Sequence, residues 1–341
     1  MIELKHHDLV FTFPEVHEEA RLHIGFQRTL RIPDDDKTYP LPPGLGPFPL
    51  RHVDDFAAGV PDVWLRRGGV LLPMYQSEAV WLNFTATYPF AIKIAAGKIN
   101  AVSGKEWRDD GLDHDTQDYV VVPGQPWLDG YCVDEGHIRQ FVAMPLGSGY
   151  SAEEQLTGAA EHGGIQIVAY PIEPEVFERL RGEGRCGGVV MYQALGDDMF
   201  EGQGASVGAA PDMGLAPGGI MEQEIYDDHY EFEDWKTDSC SRCFVHLTNS
   251  LVWRSITKED PPTTPPTAVE YTSAGLPWFE YYDDTKVALE GGERLKEMKS
   301  VAELAREKGD VPLPENESVE PDAVVTYRVG LEEDQVREGV F

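Results

Sequence analysis

The sequence predicts a β-rich α+β fold, with a large, mostly antiparallel sheet or sandwich and a smaller C-terminal part that contains one clear helix. Its 341 residues include 34 glycines and 25 prolines, a composition typical of many short elements joined by turns. Runs in which apolar and polar side chains alternate recur along the chain, as in half-buried strands. The clearest helical pattern, residues 293–308, lies near the C-terminus and ends at Gly309.

Residues 1–195 are predicted to form the β-rich core domain. In the segment 20–32, Leu22, Ile24 and Phe26 share one face of a strand, so we expect that face to be buried. Similar strand patterns occupy residues 8–13, 70–76, 79–84, 90–96, 98–104, 120–122, 138–144, 165–170 and 188–194.

A proline-rich segment interrupts these strand patterns at residues 39–49. Proline lacks a backbone N–H donor, so neither a helix nor a central strand fits here. We expect an extended strap that lies over the core, with Leu41, Leu45 and Phe48 as its anchors.

Two short helices are predicted after residue 150. Ser151 and Glu154 have the spacing of a capping box, in which each side chain bonds the backbone N–H of the other residue. Such a cap stabilises a helix by about 1 kcal/mol, which explains both residues without a ligand. Pro174 suits the first turn of the second helix, and Gly182 ends it.

The remaining chain is predicted to comprise a Gly/Met-rich flexible loop, residues 196–219, and a smaller α+β part, residues 220–341. The loop lacks hydrophobic periodicity, and we expect it to separate the two parts. The smaller part contains a stiff proline-rich connector and the helix 293–308. The expected buried stripe of this helix consists of Leu295, Met298, Ala302 and Ala305.

The chain is strongly acidic, because 60 Asp and Glu against 28 Lys and Arg give a formal net charge of −32. This charge repels phosphate backbones and anionic lipid surfaces, so we expect no nucleic-acid and no membrane partner. No secretory signal opens the sequence, and no run approaches the ~18 apolar residues of a membrane span. These features predict a soluble, cytoplasmic protein whose acids form a solubilising surface, with cation binding as the alternative.

Two kinds of metal site are considered. Cys240, Cys243 and His246 have a zinc-like spacing, but structural zinc takes four ligands, and a core histidine in a strand is the alternative. Two acidic clusters offer oxygen ligands for calcium, although neither has the spacing of an EF-hand, and solvated surface is the alternative. The clusters consist of Asp109, Asp110, Asp113, Asp115 and Asp118, and of Asp227, Asp228, Glu231, Glu233 and Asp234.

Two segments, residues 127–131 and 278–283, pair aromatic side chains with acids. Sugars stack on aromatic rings and bond their hydroxyls to acids, so these segments contain the candidate ligand-binding residues. The candidates are Trp127, Tyr131, Trp278 and Tyr281. Packing in a core or an interface is the alternative, because Trp and Tyr bury large apolar areas.

The candidate catalytic residues are Asp129, Glu135 and His137. Two carboxylates about 5–10 Å apart support glycoside hydrolysis, and His137 is close in sequence to further acids. No serine or cysteine lies in a recognisable nucleophile motif. The sequence favours a non-catalytic binding or assembly protein that engages a protein partner or itself. The alternatives are a hydrolase of a sugar-like or neutral substrate and a zinc- or calcium-stabilised module.

Overall fold

The computed structural model describes residues 1–184, 212–283, 285–311 and 313–329. In chain order the strands within these residues are β1 (Ile2–Lys5), β2 (Asp8–Thr12), β3 (Arg21–Thr29), β4 (Thr38–Tyr39), β5 (Gly44–Pro47), β6 (Arg51–His52), β7 (Val70–Met74), β8 (Ala79–Ala86), β9 (Phe90–Ala96), β10 (Ile99–Asn100), β11 (Val120–Val122), β12 (Trp127–Leu128), β13 (Gly130–Asp134), β14 (His137–Pro145), β15 (Ile165–Pro171), β16 (Met213–Glu222), β17 (Ser241–Asn249), β18 (Trp278–Asp283) and β19 (Val324–Val329). The helices are α1 (Asp62–Arg67), α2 (Ala152–Thr157), α3 (Pro174–Gly182), α4 (Ser250–Thr257), α5 (Ala268–Ser273), α6 (Glu293–Lys296) and α7 (Val301–Lys308).

The strands form two large sheets and one small one. The first sheet has the order β1-β2-β3-β8-β14-β16-β4, with β5, β12 and β13 pairing to β3, β8 and β14. The second sheet has the order β10-β9-β15-β17-β7-β6, with β11 pairing to β9. Strands β18 and β19 form a two-stranded parallel ribbon, which we call the cover ribbon. Most of the strand pairs are antiparallel, and the predicted β-rich α+β class is confirmed.

One hydrophobic core joins the two large sheets. Leu22, Ile24 and Phe26 on β3 are fully buried, as their alternation predicts, and belong to the same cluster as Ile92 on β9 and Ile167 on β15. Each fully buried side chain of this size contributes about 1.5–3 kcal/mol relative to an exposed one. The other face of β3 therefore points away from this core, on the outer side of the first sheet.

Part of that outer side is covered by the C-terminal helix α7. Val142 on β14 and Ala216 on β16 pack against Val301 and Ala305 of the helix in a second, smaller cluster. The C-terminal region thus adds a third layer to the molecule, and the candidate site described below lies in this layer.

The prediction of one continuous helix over residues 293–308 is wrong. Two helices, α6 and α7, occupy the region, because Ser300 begins α7 with a capping box in which its side chain accepts a bond from the Glu303 N–H. The break allows the two helices to serve different clusters: Leu295 packs in the main core, and Ala305 packs on the outer face of the first sheet. The corresponding capping box at Ser151 and Glu154 is present as predicted.

The prediction of a flexible loop over residues 196–219 is also wrong for the part of this segment that the structure describes. Residues 196–211 lie outside the described residues, but residues 213–219 belong to β16. Their glycines allow close packing: a β-carbon on Gly218 would lie 2.6 Å from Val142 Cγ2, and one on Gly219 would lie 2.2 Å from the Pro33 carbonyl oxygen. Since β16 and β17 pair with strands of residues 1–195, both sheets continue across the proposed boundary.

The proline-rich strap packs on the core as expected, and part of it, β5, also pairs with β3 of the first sheet. Leu41 and Phe48 are buried, while Leu45 is partly exposed. The strap is tied to the cover ribbon by two backbone hydrogen bonds. The Leu41 N–H donates to the Phe279 oxygen at 2.7 Å, and the Phe279 N–H donates to the Leu41 oxygen at 2.9 Å.

Candidate ligand-binding cavity

Strand alternation places three polar or amphipathic side chains on the outer face of the first sheet. Gln27 on β3 lies opposite Trp81 on β8, and Gly25 lies opposite Asn83. A β-carbon at Gly25 would lie 2.2 Å from Asn83 Oδ1, so glycine leaves the room that the asparagine occupies. Trp127 on β12 pairs with Asn83 from the other side of β8. These side chains form the floor of the site, and Trp127 and Trp81 also contact the main core.

The strap and the cover ribbon close over this floor and leave a cavity of about 360 Å³. A volume of this size is within the range of small-molecule sites, about 300–1,000 Å³. The cavity has five aromatic lining residues, which are Trp81, Trp127, Phe279, Tyr281 and Tyr327. Its polar and acidic lining residues are Gln27, Asn83, Asp129 and Glu280. Within the described residues, no lysine, arginine or histidine lines it.

The cavity has a buried end and an exposed end. Asp129 is only 6 % exposed and Trp127 is 7 % exposed, whereas Val325 and Tyr327 on β19 are 39 % and 46 % exposed. The floor therefore lies against the first sheet, and the mouth lies along the cover ribbon. Phe279 and Tyr327 stack near the mouth with ring centroids 6.2 Å apart.

Asp129 is held rigidly at the buried end. Its backbone N–H donates to Gln223 Oε1 at 3.0 Å, and its carbonyl accepts from the Phe141 N–H at 2.9 Å. Burial raises the pKa of its carboxyl group to about 8, against a smaller lowering by the hydrogen bond from the Trp127 side chain. Near pH 7 the folded protein therefore holds Asp129 mainly in its uncharged form.

Three buried polar atoms of the lining side chains lack a hydrogen-bond partner among the described residues: Gln27 Oε1, Trp81 Nε1 and Asn83 Oδ1. Leaving such an atom unpaired costs about 1–3 kcal/mol. These atoms are themselves buried, and Asn83 Oδ1 packs against Gly25, so they add to the polar character of the lining residues without facing the cavity.

The structure brings together two of the four candidate ligand-binding residues. Trp127 and Tyr281 both line the cavity, with ring centroids 4.8 Å apart and the rings at 75°. The other two are core residues. Tyr131 is fully buried and donates from its hydroxyl to the Leu215 carbonyl, and Trp278 is fully buried and donates from Nε1 to Thr272 Oγ1.

The three candidate catalytic residues do not form one site. Asp129 lies in the cavity, but Glu135 is exposed at the turn between β13 and β14, where its carbonyl is 2.8 Å from His137 Nδ1. Six residues of extended chain separate Asp129 from Glu135, which corresponds to roughly 20 Å. That distance exceeds the range of paired carboxylates in glycoside hydrolases. Glu280 also borders the cavity, but its side chain lies on the face of β18 opposite to Phe279 and Tyr281 and bonds Thr326.

The proposed zinc ligands also do not converge. Cys243 and His246 lie an odd number of residues apart on β17, so their side chains point to opposite faces of the sheet. His246 Nε2 is 2.9 Å from the Gly68 carbonyl oxygen, the ring stacks on Trp64, and Cys240 is exposed. Among the described residues, no group of three His, Cys, Asp or Glu side chains could hold a metal ion.

The acidic loop that was considered for calcium encloses a lysine instead. The buried Lys93 ammonium is 2.8 Å from Asp118 Oδ2 and donates to the carbonyls of Arg108 at 3.3 Å and Gly111 at 2.6 Å. In the second acidic cluster, Asp228 Oδ2 accepts bonds from the side chains of Tyr119 and Trp235.

Gln27, Trp81 and Asn83 were not singled out from the sequence. The signal was present in residues 79–84, where apolar and other side chains alternate and a tryptophan and an asparagine occupy the face opposite the core. An aromatic residue on the outer face of an amphipathic strand indicates a second contact surface. The partner of that surface, residues 277–281, is almost 200 positions away along the chain.

Comparison with known proteins adds no relative, since no family model, no curated protein and no solved structure matches this chain. Separately, none of the helices in the described residues combines the length and the apolar character needed to cross a bilayer.

Proposed function

We propose that the protein is a non-catalytic binding protein that holds a small organic ligand in the cavity between the first sheet and the cover ribbon. One observation carries this proposal: five aromatic side chains, two amide side chains and the buried Asp129 carboxyl group line one cavity of about 360 Å³ among the described residues. Aromatic walls with a few convergent polar groups are typical of small-molecule sites.

Two valines on β19 provide a matched test. Val324 and Val325 are both 39 % exposed and adjacent, but only Val325 lines the cavity. Ligands are first found by ligand-observed NMR with a panel of sugars, nucleosides, aromatic alcohols and amines. Their affinities are then measured by calorimetry for the wild type, Val325→Trp and Val324→Trp.

We expect Val325→Trp to fill the mouth and to weaken binding at least tenfold, while Val324→Trp binds like the wild type. Circular dichroism and thermal unfolding establish that both variants fold. The proposal is refuted if no member of the panel binds with one-to-one stoichiometry, or if both substitutions affect binding equally.

A hydrolase acting on a sugar-like substrate is the second candidate, favoured by a buried acid, Asp129, in an aromatic-lined cavity. Burial raises the pKa of its carboxyl group, so Asp129 suits a general acid. Release of nitrophenol from nitrophenyl glycosides tests this candidate. Activity that disappears in Asp129→Asn would replace the binding proposal with the hydrolase.

A further inference from the structure

The cavity has a polar floor and an apolar cover. Gln27 and Asn83 lie on the outer face of the first sheet by strand alternation, and Asp129 lies with them at the buried end. The segments that close over this floor contribute apolar and aromatic side chains. Examples are Leu41, Pro42 and Pro43 on the strap, and Phe279, Tyr281 and Val325 on the cover ribbon.

No described side chain brings a net charge into the cavity. None of the described lining residues is a lysine, an arginine or a histidine. The Glu280 carboxylate lies on the other face of β18, where it accepts a 3.0 Å hydrogen bond from Thr326 Oγ1. Asp129 is buried with the Trp127 side chain as its hydrogen-bond donor, and burial raises the pKa of its carboxyl group, so it keeps its proton near pH 7.

We propose that the ligand is an uncharged, mainly apolar molecule with one hydrogen-bonding end. This end lies on the floor, and the apolar body lies under the strap and the cover ribbon. The inference rests on the proposed function and names the class of ligand that the site takes.

The floor determines which kind of polar end fits. Gln27 and Asn83 are partly exposed while their amide oxygens are buried, so the polar atoms left for a ligand are their N–H groups. The uncharged carboxyl group of Asp129 adds an O–H donor. The complementary end is therefore an acceptor oxygen, as in an amide, a ketone or an alcohol.

Other classes of ligand lose more than they gain in this cavity. An ion of either sign would leave its water and meet no opposite charge. Anions are in addition repelled by the formal net charge of −32. A sugar has hydroxyl groups around its whole ring, and those under the strap or against Val325 would lose their hydrogen bonds to water. A purely apolar molecule would displace water from the floor without replacing its hydrogen bonds.

Benzamide, benzoate and benzamidine test the inference, because they have nearly the same shape and are uncharged, negative and positive at pH 6. Titrations of the full chain followed by ligand-observed NMR measure the three affinities. We expect benzamide to bind at least tenfold more tightly than either ion. Val325→Trp should weaken benzamide, and Val324→Trp should not.

Toluene and two variants of Asp129 test the hydrogen-bonding end. Toluene lacks the amide group and should bind more weakly than benzamide. Asp129→Leu removes the O–H donor, so it should weaken benzamide several-fold and leave toluene unchanged. Asp129→Asn is uncharged and keeps both an N–H donor and the acceptor for Trp127, so it should bind benzamide within about twofold of the wild type. Thermal unfolding verifies that each variant is folded.

Three outcomes overturn the inference and leave the proposed function standing. In the first, benzoate or benzamidine binds as tightly as benzamide. In the second, benzamide does not bind, while a member of the ligand panel binds in a Val325-dependent way. In the third, toluene binds as tightly as benzamide, or Asp129→Leu leaves the affinity for benzamide unchanged. If instead no ligand of any class distinguishes Val325→Trp from Val324→Trp, the proposed function itself fails.

Discussion

Lys93 shows how a single side chain can take the place of a bound ion. In the sequence, residues 108–118 show a cluster of acids, and no local pattern connects them with Lys93. Lys93 lies on β9 and contacts this loop only in the folded protein. Its ammonium meets two backbone carbonyls and the Asp118 carboxylate, the same oxygen groups that calcium uses. Lys93 thus neutralises the buried Asp118 carboxylate from within the fold.

Lys93→Met should destabilise the protein by about 3–5 kcal/mol, because it leaves the Asp118 carboxylate buried without its partner. The matched control is Lys105→Met, which breaks the largely exposed ion pair with Asp113 and should cost at most about 1 kcal/mol. Urea unfolding at neutral pH measures both. Equal losses for the two variants, or a wild-type melting temperature that rises on adding calcium, would contradict the role assigned to Lys93.

Asp129 makes a prediction about pH. Its pKa is about 8 in the folded protein, whereas an exposed aspartate has a pKa of 3.8, so between those values the folded state binds more protons than the unfolded state. Stability therefore decreases as the pH rises from about 4 to about 8, by at most about 1.4 kcal/mol per pH unit from this group.

Asp129→Asn removes this dependence, because asparagine does not ionise and its side-chain oxygen still accepts the bond from Trp127. The variant should gain stability relative to the wild type as the pH rises from 5 to 8, by a total of about 2–4 kcal/mol. Urea unfolding of both proteins across this range measures the difference. A difference that stays constant with pH would show that Asp129 is ionised in the folded protein.

At the scale of elements, alternation and caps were the informative signals. The burial of β3 and the start of α2 follow from residues 20–32 and from Ser151 with Glu154, because both patterns depend on neighbours a few positions away. The continuous helix 293–308 was wrong because its apolar stripe outweighed a second capping box at Ser300 and Glu303. Apolar residues at helical spacing indicate which positions are buried. They do not indicate which surface each helical turn packs against.

Ser300→Ala should destabilise the protein by about 1 kcal/mol, since it leaves the Glu303 N–H of α7 without its cap. Ser255→Ala is the control, because Ser255 lies inside α4 and is exposed, and alanine there favours the helix. Chemical unfolding compares the two. A Ser300→Ala variant as stable as the control would indicate one continuous helix across residues 293–308.

Long-range packing explains why the remainder of the cavity escaped prediction. Glycine in residues 213–219 suggested a flexible loop, yet only glycine fits at positions 218 and 219, because Val142 and the Pro33 backbone approach them closely. Likewise, nothing in residues 79–84 indicates that residues 277–281 and 324–329 will cover them. Local patterns therefore predicted the strands, but not the surfaces on which the C-terminal layer packs.

At the scale of the whole molecule, the net negative charge lowers the stability of the folded state. Like charges on one compact chain repel each other, and salt screens that repulsion. Raising the sodium chloride concentration from about 0.01 M to about 1 M shortens the Debye length from about 30 Å to about 3 Å. The melting temperature should therefore rise by several degrees, and potassium chloride should have the same effect. A melting temperature that falls with salt would mean that attractive ion pairs dominate the surface.

The whole architecture also explains why chemistry was difficult to assign from the sequence. Two of the four aromatic candidates, Tyr131 and Trp278, belong to cores, and only Trp127 and Tyr281 reach the cavity. All four have similar local surroundings in the sequence. What separates them is the third layer, which encloses a volume on one part of the outer sheet and packs tightly on another.

The most direct test of the ligand-binding cavity is a crystal structure of the protein with the tightest-binding member of the ligand panel. We expect density for the ligand between Trp81, Trp127 and Tyr281, with its polar group near Asp129. Ligand density elsewhere on the molecule, or a cavity filled by the side chains of the cover ribbon, would contradict the account.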